Sequence, residues 1–232
     1  IFPSIFFCLS IICIYLSGER SNFIKALIIA SIIFFVINDT YIFFKKKYIF
    51  LFIVIGIALP TLISKEDLII EKGIREIKRI ILFNDNSPHK TFGHTKHFAH
   101  YEAAWQIIKD YPISGVGNKK FRYICHNEKY FNSEIIYTYQ RCSNHPHQIH
   151  LEILSEQGVI GYLIIIFAIF NLLIDSFKIY RRTGDMTHLS SILFVVTFFI
   201  PLLPSGSFFS TFNASIFWIN FSFVYAFLNK PN

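Results

Sequence analysis

The chain alternates between long apolar stretches and one long hydrophilic stretch. Six segments are almost wholly apolar, and they cover residues 1–16, 23–44, 48–63, 158–177, 189–203 and 208–228. Three of them reach the roughly 20 residues that a helix needs to cross a bilayer. Because only a helix satisfies its own backbone hydrogen bonds in lipid, each segment is predicted to be a membrane helix. The pattern therefore predicts an all-α, polytopic integral membrane protein with one large loop.

This pattern divides the chain into three parts. Residues 1–63 are predicted to form transmembrane helices with a short outer loop, residues 64–157 the large loop, and residues 158–232 the C-terminal transmembrane helices. The sequence begins inside an apolar run, without an initiator Met or a basic leader. We therefore expect the C-terminal part of a longer membrane protein. A signal peptide fits less well, because further apolar segments follow.

Basic residues predict how the helices are oriented. One cluster occupies residues 45–47, and a second contains Lys178, Arg181 and Arg182. Loops rich in Lys and Arg stay in the cytoplasm, so both clusters are predicted to be cytoplasmic. Counting helices from there places residues 17–21, 64–157 and 205–207 together on the outer side.

Composition and charge narrow the class of protein. Of the 232 residues, 53% are hydrophobic and only 16% are charged, whereas a soluble domain is about one quarter charged. These values exclude a soluble enzyme, a disordered tail and a disulfide scaffold. The net charge is +7, but residues 64–157 hold 13 basic and 11 acidic side chains, together with eight of the nine His. Since basic and aromatic residues do not interleave there, we predict no nucleic-acid partner.

Two cysteines of the large loop are candidates for a disulfide. Cys125 and Cys142 both lie on the predicted outer side, where paired thiols tend to oxidise. The bridge would close a loop of about 17 residues and stabilise the fold by roughly 3 kcal/mol. We predict this bridge; the alternative is two free thiols.

The densest group of reactive side chains is CSNHPHQIH, residues 142–150. Pro146 suits the first turn of a helix, with Asn144 or His145 as its cap. His147 would then stand at the helix N-terminus, where N–H groups and the helix dipole favour an anion such as phosphate. A neutral His at this place can take a proton from a sugar hydroxyl. We assign His150 to interfacial packing.

A metal site is the alternative interpretation of the same histidines. His147 and His150 stand at i, i+3 of the predicted helix and could share a zinc ion. No Asp lies near them and no His-Glu-x-x-His follows, so we predict no metal. A zinc-dependent membrane hydrolase and a transporter remain as alternatives of another class. A transporter would place ionisable residues inside its spans, whereas Lys25, Asp39 and Asp175 lie near segment ends.

Arginines on the outer side are candidates for binding phosphate. Arg20 lies in SGERSNF between two apolar segments, and its guanidinium can bind phosphate oxygens in bidentate fashion. A simple anchoring role at the membrane surface is its alternative. Arg79 lies in the large loop, four residues after Arg75, and a solvated helix face is its alternative.

The order of these features resembles the O-antigen ligase and polymerase family, membrane glycosyltransferases that act on undecaprenyl-diphosphate-linked glycans. The matching pieces are SGERSNF around Arg20, AAWQIIKDYPISGVGNKKFR from Ala103 to Arg122, CSNHPHQIHLEILSEQGVIG from Cys142 to Gly161, and the apolar segments that follow. Together they cover most of the chain, and the last block is the most specific.

The resemblance implies an all-helical fold of the GT-C type, with the site on a periplasmic loop and no cofactor or metal. It also implies that the catalytic histidine is His147 and that one diphosphate-binding arginine is Arg20. Two positions depart from the family pattern. Gln148 stands where Asn is usual, and the Arg often found shortly before the Trp is replaced by the neighbourhood of His100. The candidates for the remaining substrate-binding side chains are therefore His145, Arg122, Arg79 and His100.

The function that this resemblance implies is transfer of an undecaprenyl-diphosphate-linked O-antigen glycan to an acceptor hydroxyl. Lipid A core is the expected acceptor, which would make the protein an O-antigen ligase. An O-antigen polymerase or a protein O-oligosaccharyltransferase shares these motifs, and the sequence pattern does not separate the three. The implied partners are the lipid-linked glycan, the acceptor and the lipid bilayer. The implied location is the bacterial inner membrane, which the protein crosses several times.

Overall fold

The structure, a computed structural model, describes residues 9–10, 13–14, 20–36, 96–135, 137–201 and 203–228. Six α-helices lie in these ranges: α1 (Arg20–Val36), α2 (Lys96–Asp110), α3 (Phe121–Ile124), α4 (Ile149–Thr183), α5 (Met186–Phe198) and α6 (Thr211–Leu228). Two short 3-10 helices cover Glu128–Tyr130 and Thr138–Gln140. Since these ranges contain helices, turns and loops but no strand, the all-α prediction is confirmed for them.

The chain divides into two units, residues 1–83 and residues 84–232. The first unit contributes α1, a 17-residue apolar helix that begins at Arg20. The predicted helix at 48–63 and the first part of the large loop, 64–95, lie outside the described residues. All the other helices belong to the second unit.

Helix α2 packs through a face of small side chains. Its buried residues are Ala99, His100, Ala103, Ala104 and Ile107. The spacing of Tyr101, Trp105 and Ile108 predicts a helix that Asp110-Tyr111-Pro112 ends, and α2 confirms this helix. The side chain of Trp105, however, is 48% exposed. Alanines let the helix backbone come close to Phe121, Cys125 and Tyr130, with which they form one core. As predicted, α2 ends at Asp110, before Pro112.

Helix α4 begins later than the sequence predicted. Its N-cap is Gln148, whose side-chain oxygen accepts a hydrogen bond of 2.7 Å from the N–H of Leu151. The predicted start at Pro146, with Asn144 or His145 as cap, is therefore wrong. The physical reason is the backbone of His147, whose φ of 59° is left-handed and cannot belong to a right-handed helix.

Helix α4 is broken at Gly158, where φ is 66° and ψ is −173°. This break interrupts the hydrogen bonds of the helix, and the loop formed by residues 112–117 supplies the missing partners. The bonds join Val116 N–H to Ser155 O (2.9 Å), Gly117 N–H to Glu156 O (2.8 Å), Val159 N–H to Pro112 O (2.8 Å) and Ile160 N–H to Ile113 O (3.3 Å). Gly115 and Gly117, both with positive φ, form the predicted tight turn.

Helix α4 is also the one described helix that is long and apolar enough to cross a membrane by length and composition. Only 17% of its most apolar window is buried within the protein, so most of these side chains face outward. Helices α5 and α6 pack on it through a core that contains Ile169, Leu172, Val195, Phe217 and Val224. The several membrane crossings stay a prediction.

Candidate active site

Four histidine rings meet between α2 and the segment that precedes α4. His97 and His100 come from α2, and His145 and His147 come from the loop; we call these four residues the histidine cluster. The ring centre of His147 lies 4.3 Å from that of His145, 5.1 Å from that of His100 and 5.2 Å from that of His97. His147 therefore touches all the other members.

The backbone of His147 is held in an unfavourable conformation. A φ of 59° is left-handed, which costs an L-residue other than glycine roughly 1–2 kcal/mol. Two interactions hold it there. The carbonyl of His147 accepts a hydrogen bond of 2.8 Å from the N–H of Ser205, and the next residue, Gln148, caps α4. Such strain persists only where the surroundings determine the conformation, and it concentrates at functional sites.

Two rings of the cluster are oriented by backbone carbonyls. Because a carbonyl only accepts, the Nδ1–H of His100 donates to the carbonyl of Arg141 (3.0 Å), and the Nε2–H of His145 donates to that of Ser205 (3.2 Å). The other nitrogen of each neutral ring is then an acceptor. The tautomers of both rings follow from these bonds.

His147 is neutral near pH 7. Burial, together with the neighbouring His145, His100 and His97, lowers the pKa of His147 to about 4. Burial is also the main cause that lowers the pKa of His145 and that of His97. His147 is therefore an unprotonated imidazole that can accept a proton.

Three buried polar atoms without a hydrogen-bond partner surround this cluster. Within the described part of the protein they are Tyr101 Oη, Arg122 Nε and Ser205 Oγ. The ring of Tyr101 lies 6.4 Å from that of His97, the charge of Arg122 acts on His145, and the backbone of Ser205 bonds to the loop. Because buried polar groups are normally paired, each of these atoms is available to a polar ligand bound at the cluster.

Glu156 fixes the segment that carries Arg122. Its buried carboxylate accepts hydrogen bonds from the N–H of Lys119 (2.6 Å) and the N–H of Phe121 (3.2 Å). Phe121 is itself fully buried, and Arg122 follows it in α3. The two bonds attach this short helix to α4 just before the break at Gly158.

Arg141 fixes the other side of the cluster, and sequence reasoning did not identify it. Its buried guanidinium donates to the carbonyls of Cys125 (2.8 Å), Thr138 (3.3 Å), His126 (3.1 Å) and Asn127 (3.3 Å). The structure also joins Cys125 to Cys142 in a disulfide, with Cα atoms 5.4 Å apart. The carbonyl of Arg141, which orients His100, is thus held between two cross-links.

We expect peptides containing Cys125 and Cys142 to stay linked in a non-reduced digest of the protein analysed by mass spectrometry. Replacing Cys142 by Ser is expected to lower the free energy of unfolding by about 3 kcal/mol, because the unfolded chain regains the freedom of a loop of about 17 residues. Alkylation of both Cys125 and Cys142 in the unreduced protein would show that the predicted bridge is absent.

The surroundings of His150 disfavour the predicted alternative of a zinc site shared with His147. His150 uses both ring nitrogens: Nε2–H donates to the carbonyl of Phe199 (3.0 Å), and Nδ1 accepts from the hydroxyl of Tyr162 (2.9 Å). His147 is not in the helix with His150, so the two do not share one helical face as predicted. In the described ranges, one group of three possible ligand atoms converges, on Cys125, His126 and Cys142, and its two sulfurs belong to the disulfide.

The structure brings together four residues that the sequence suggested: His147, His145, His100 and Arg122. Arg79 lies outside the described residues. Arg20 is the first residue of α1, and its side chain is outside the described atoms. Sequence reasoning missed His97, Tyr101 and Ser205; the spacing of His97 and His100, one turn apart on α2, was a signal for the first of them.

Comparison with known proteins identifies the family to which this chain belongs. The model of the family described as O-Antigen ligase matches residues 5–166, which is 162 of the 232 residues. No curated protein and no solved structure gives a significant match. The matched range contains the whole histidine cluster and Arg20. Activity in this family is of the O-antigen ligase or polymerase type, and its members are membrane proteins of the bacterial envelope. The chain belongs to the O-antigen ligase family.

Proposed function

We propose that this protein transfers a glycan from a polyprenyl diphosphate to an acceptor hydroxyl, with lipid A core as the acceptor. One observation carries the proposal: a neutral, strained His147 lies in a cluster bordered by the unpaired guanidinium nitrogen of Arg122 and two buried hydroxyls. A neutral base activates the hydroxyl that attacks, and a fixed cation stabilises the charge of the diphosphate that leaves. Arg122 acts electrostatically on His145, whose ring centre lies 4.3 Å from that of His147.

In the proposed reaction, the acceptor oxygen forms a bond to the anomeric carbon while the bond from that carbon to the phosphate oxygen breaks. The hydroxyl proton passes to His147, and the polyprenyl diphosphate leaves with one more negative charge. Base assistance of this kind contributes about 10²- to 10⁴-fold to a rate. Positioning and charge stabilisation supply the remainder.

Several side chains are proposed to bind the diphosphate. Arg122 is held at the cluster by Glu156, and its guanidinium matches two phosphate oxygens at once. His145 and His100 offer ring nitrogens beside it. Arg20 and Arg79 are proposed as further ligands on the family resemblance alone.

Deleting the gene and separating the cell's lipopolysaccharide on a gel tests this function. Core without O-antigen, together with accumulated lipid-linked polymer, is the result expected for a ligase. Core that carries a single repeat unit would identify a polymerase instead. Unchanged lipopolysaccharide would contradict both.

The site is proposed to face the periplasm. The turn between α5 and α6 contacts the loop that carries the cluster: Ser205 N–H bonds to His147 O (2.8 Å), and Phe208 N–H to the Glu152 carboxylate (2.7 Å). These contacts support the proposal that the turn and the large loop share one side of the membrane.

A labelling experiment checks this orientation. In a background with Cys8 and Cys13 replaced by Ser, we expect an impermeant thiol reagent added from the periplasmic side to modify Lys90→Cys and not Lys46→Cys. The reason is the basic cluster at residues 45–47, which favours the cytoplasm. Labelling of position 46 without position 90 would show that the orientation is reversed.

A further inference from the structure

We propose that His97 and His100 of α2 form, with His145, a proton-accepting anion site, and that binding of the donor's diphosphate at this site is accompanied by uptake of a proton. The inference rests on the proposed function and deepens it. It makes His97 a ligand of the substrate and couples donor binding to pH.

The first observation is the arrangement of the rings. His97 and His100 stand one turn apart on α2, with ring centres 6.3 Å from each other, and both lie within 5.2 Å of the ring centre of His147. His145 lies against His147 at 4.3 Å. Across the described part of the chain, no carboxylate bonds to any of these four rings. Four imidazoles without an acidic partner form a site that gains positive charge only by taking up protons.

The second observation is that the rings have nitrogens available to accept a proton. His100 and His145 each commit one nitrogen as a donor to a backbone carbonyl. The remaining nitrogens, Nε2 of His100 and Nδ1 of His145, have no hydrogen bond among the described residues. Proton uptake at either nitrogen therefore breaks no existing hydrogen bond, and it creates a new donor toward a bound anion.

The other charged groups near the cluster disfavour a proton while the site is empty. Arg122 contributes a positive charge that acts on His145. Glu156 bonds to the backbone of Lys119 and Phe121, and the guanidinium of Arg141 points to carbonyls. The Tyr101 hydroxyl is neutral, since burial raises its pKa to about 12. Burial thus disfavours the protonated form of His145, His97 and His147 while the site is empty.

A bound diphosphate reverses this preference for unprotonated rings. A diphosphate diester lacks the phosphate group that titrates near pH 6, so it stays doubly charged across the neutral range. Its charge favours the protonated imidazole and raises the pKa of the cluster toward or above neutrality. The Kd of the diphosphate must therefore fall as the pH falls from 8 toward 5. This decrease ends near the low pKa of the histidines in the empty site. The proton is shared by His97, His100 and His145, and His147 stays the unprotonated base.

Calorimetry on the protein in nanodiscs tests the inference, with a short-chain dialkyl diphosphate diester as the probe. Titrations at pH 7 in two non-phosphate buffers of different ionisation enthalpy measure the number of protons taken up. We expect uptake that approaches one proton. At full uptake, the Kd would rise by about tenfold for each pH unit between 6 and 8.

Matched variants assign the proton to the cluster. Asparagine at position 100 places an amide N–H where Nδ1 of His100 donates, so His100→Asn keeps the bond to Arg141 but loses the nitrogen that titrates. We expect His100→Asn and His97→Gln to lower the proton number, whereas His126→Asn, an exposed histidine outside the cluster, leaves it unchanged. A merely structural role would alter the Kd without altering the proton number.

Two outcomes would overturn the inference in distinguishable ways. Binding of the diester with no buffer dependence and a Kd independent of pH would refute proton uptake and leave the proposed function standing. Failure of the diester to bind at any pH between 5 and 8 would refute both the inference and the diphosphate donor.

Discussion

Replacing His147 by asparagine is expected to lower glycan transfer by a factor of about 10² to 10⁴ while the protein still folds. Asparagine tolerates the left-handed conformation that His147 adopts, with φ of 59°, better than alanine does. It therefore keeps the backbone that leads into the cap of α4. What it lacks is the neutral ring nitrogen that takes the proton of the acceptor hydroxyl. Complementation of the deletion strain, with O-antigen on a gel and membrane protein on a blot, measures the effect.

His126→Asn is the matched control for this experiment. His126 lies in the same loop, but its side chain is exposed and outside the cluster, so normal O-antigen is expected. His150→Ala should act on stability instead, because it removes the bonds to Tyr162 and Phe199. Normal O-antigen in His147→Asn at equal protein level would show that this histidine is not the base.

Replacing Gly158 by alanine is expected to lower the free energy of unfolding by about 3 kcal/mol or more. Its backbone lies at φ 66° and ψ −173°, a region that is essentially limited to glycine. An added Cβ would also collide with the carbonyl group of Ile113 and would meet the N of Gly115 at 2.6 Å. The 112–117 loop cannot move away from the added Cβ without losing its backbone hydrogen bonds to α4. Relief of the clash would therefore cost these bonds. Thermal denaturation in nanodiscs and protease resistance of the large loop measure the change.

Gly184→Ala is the control, because Gly184 also has a positive φ, of 70°, at the C-cap of α4. There an alanine meets only the ordinary left-handed penalty of about 1 kcal/mol. Equal stabilities of the two variants would mean that the close approach of the loop to Gly158 does not stabilise the fold.

Sequence periodicity identified the elements of the described fold but not their contacts. Helices α2 and α4 were predicted from spacing and from the prolines that follow or precede them. The buried face of α2 was not, because its three buried alanines have too little apolar area to stand out beside Trp105. Close packing depends on shape, which a pattern of apolar positions does not contain.

The tertiary contacts of the candidate site were likewise not predictable from the sequence pattern. His147 and His145 stood out because they lie two positions apart in one dense group of reactive side chains, whereas His97 lies 50 positions before His147 and joins it only through tertiary packing. The left-handed backbone of His147 has no signal of its own, since the residue is not glycine or asparagine. Gln148 was not expected as a helix cap, because the preferred caps are shorter side chains. The contact of His97 with His147 and the backbone of His147 depend on residues distant in sequence, such as Ser205.

Transfer in a purified system tests the central claim most directly. The protein in nanodiscs would be mixed with a synthetic polyprenyl diphosphate glycan and lipid A core, and mass spectrometry would count the glycosylated core and the released polyprenyl diphosphate. The account predicts that the two products form in equal amounts with the wild type and with His126→Asn, and that both are lost with His147→Asn. Consumption of the donor without glycosylated core, or equal transfer by His147→Asn, would contradict it.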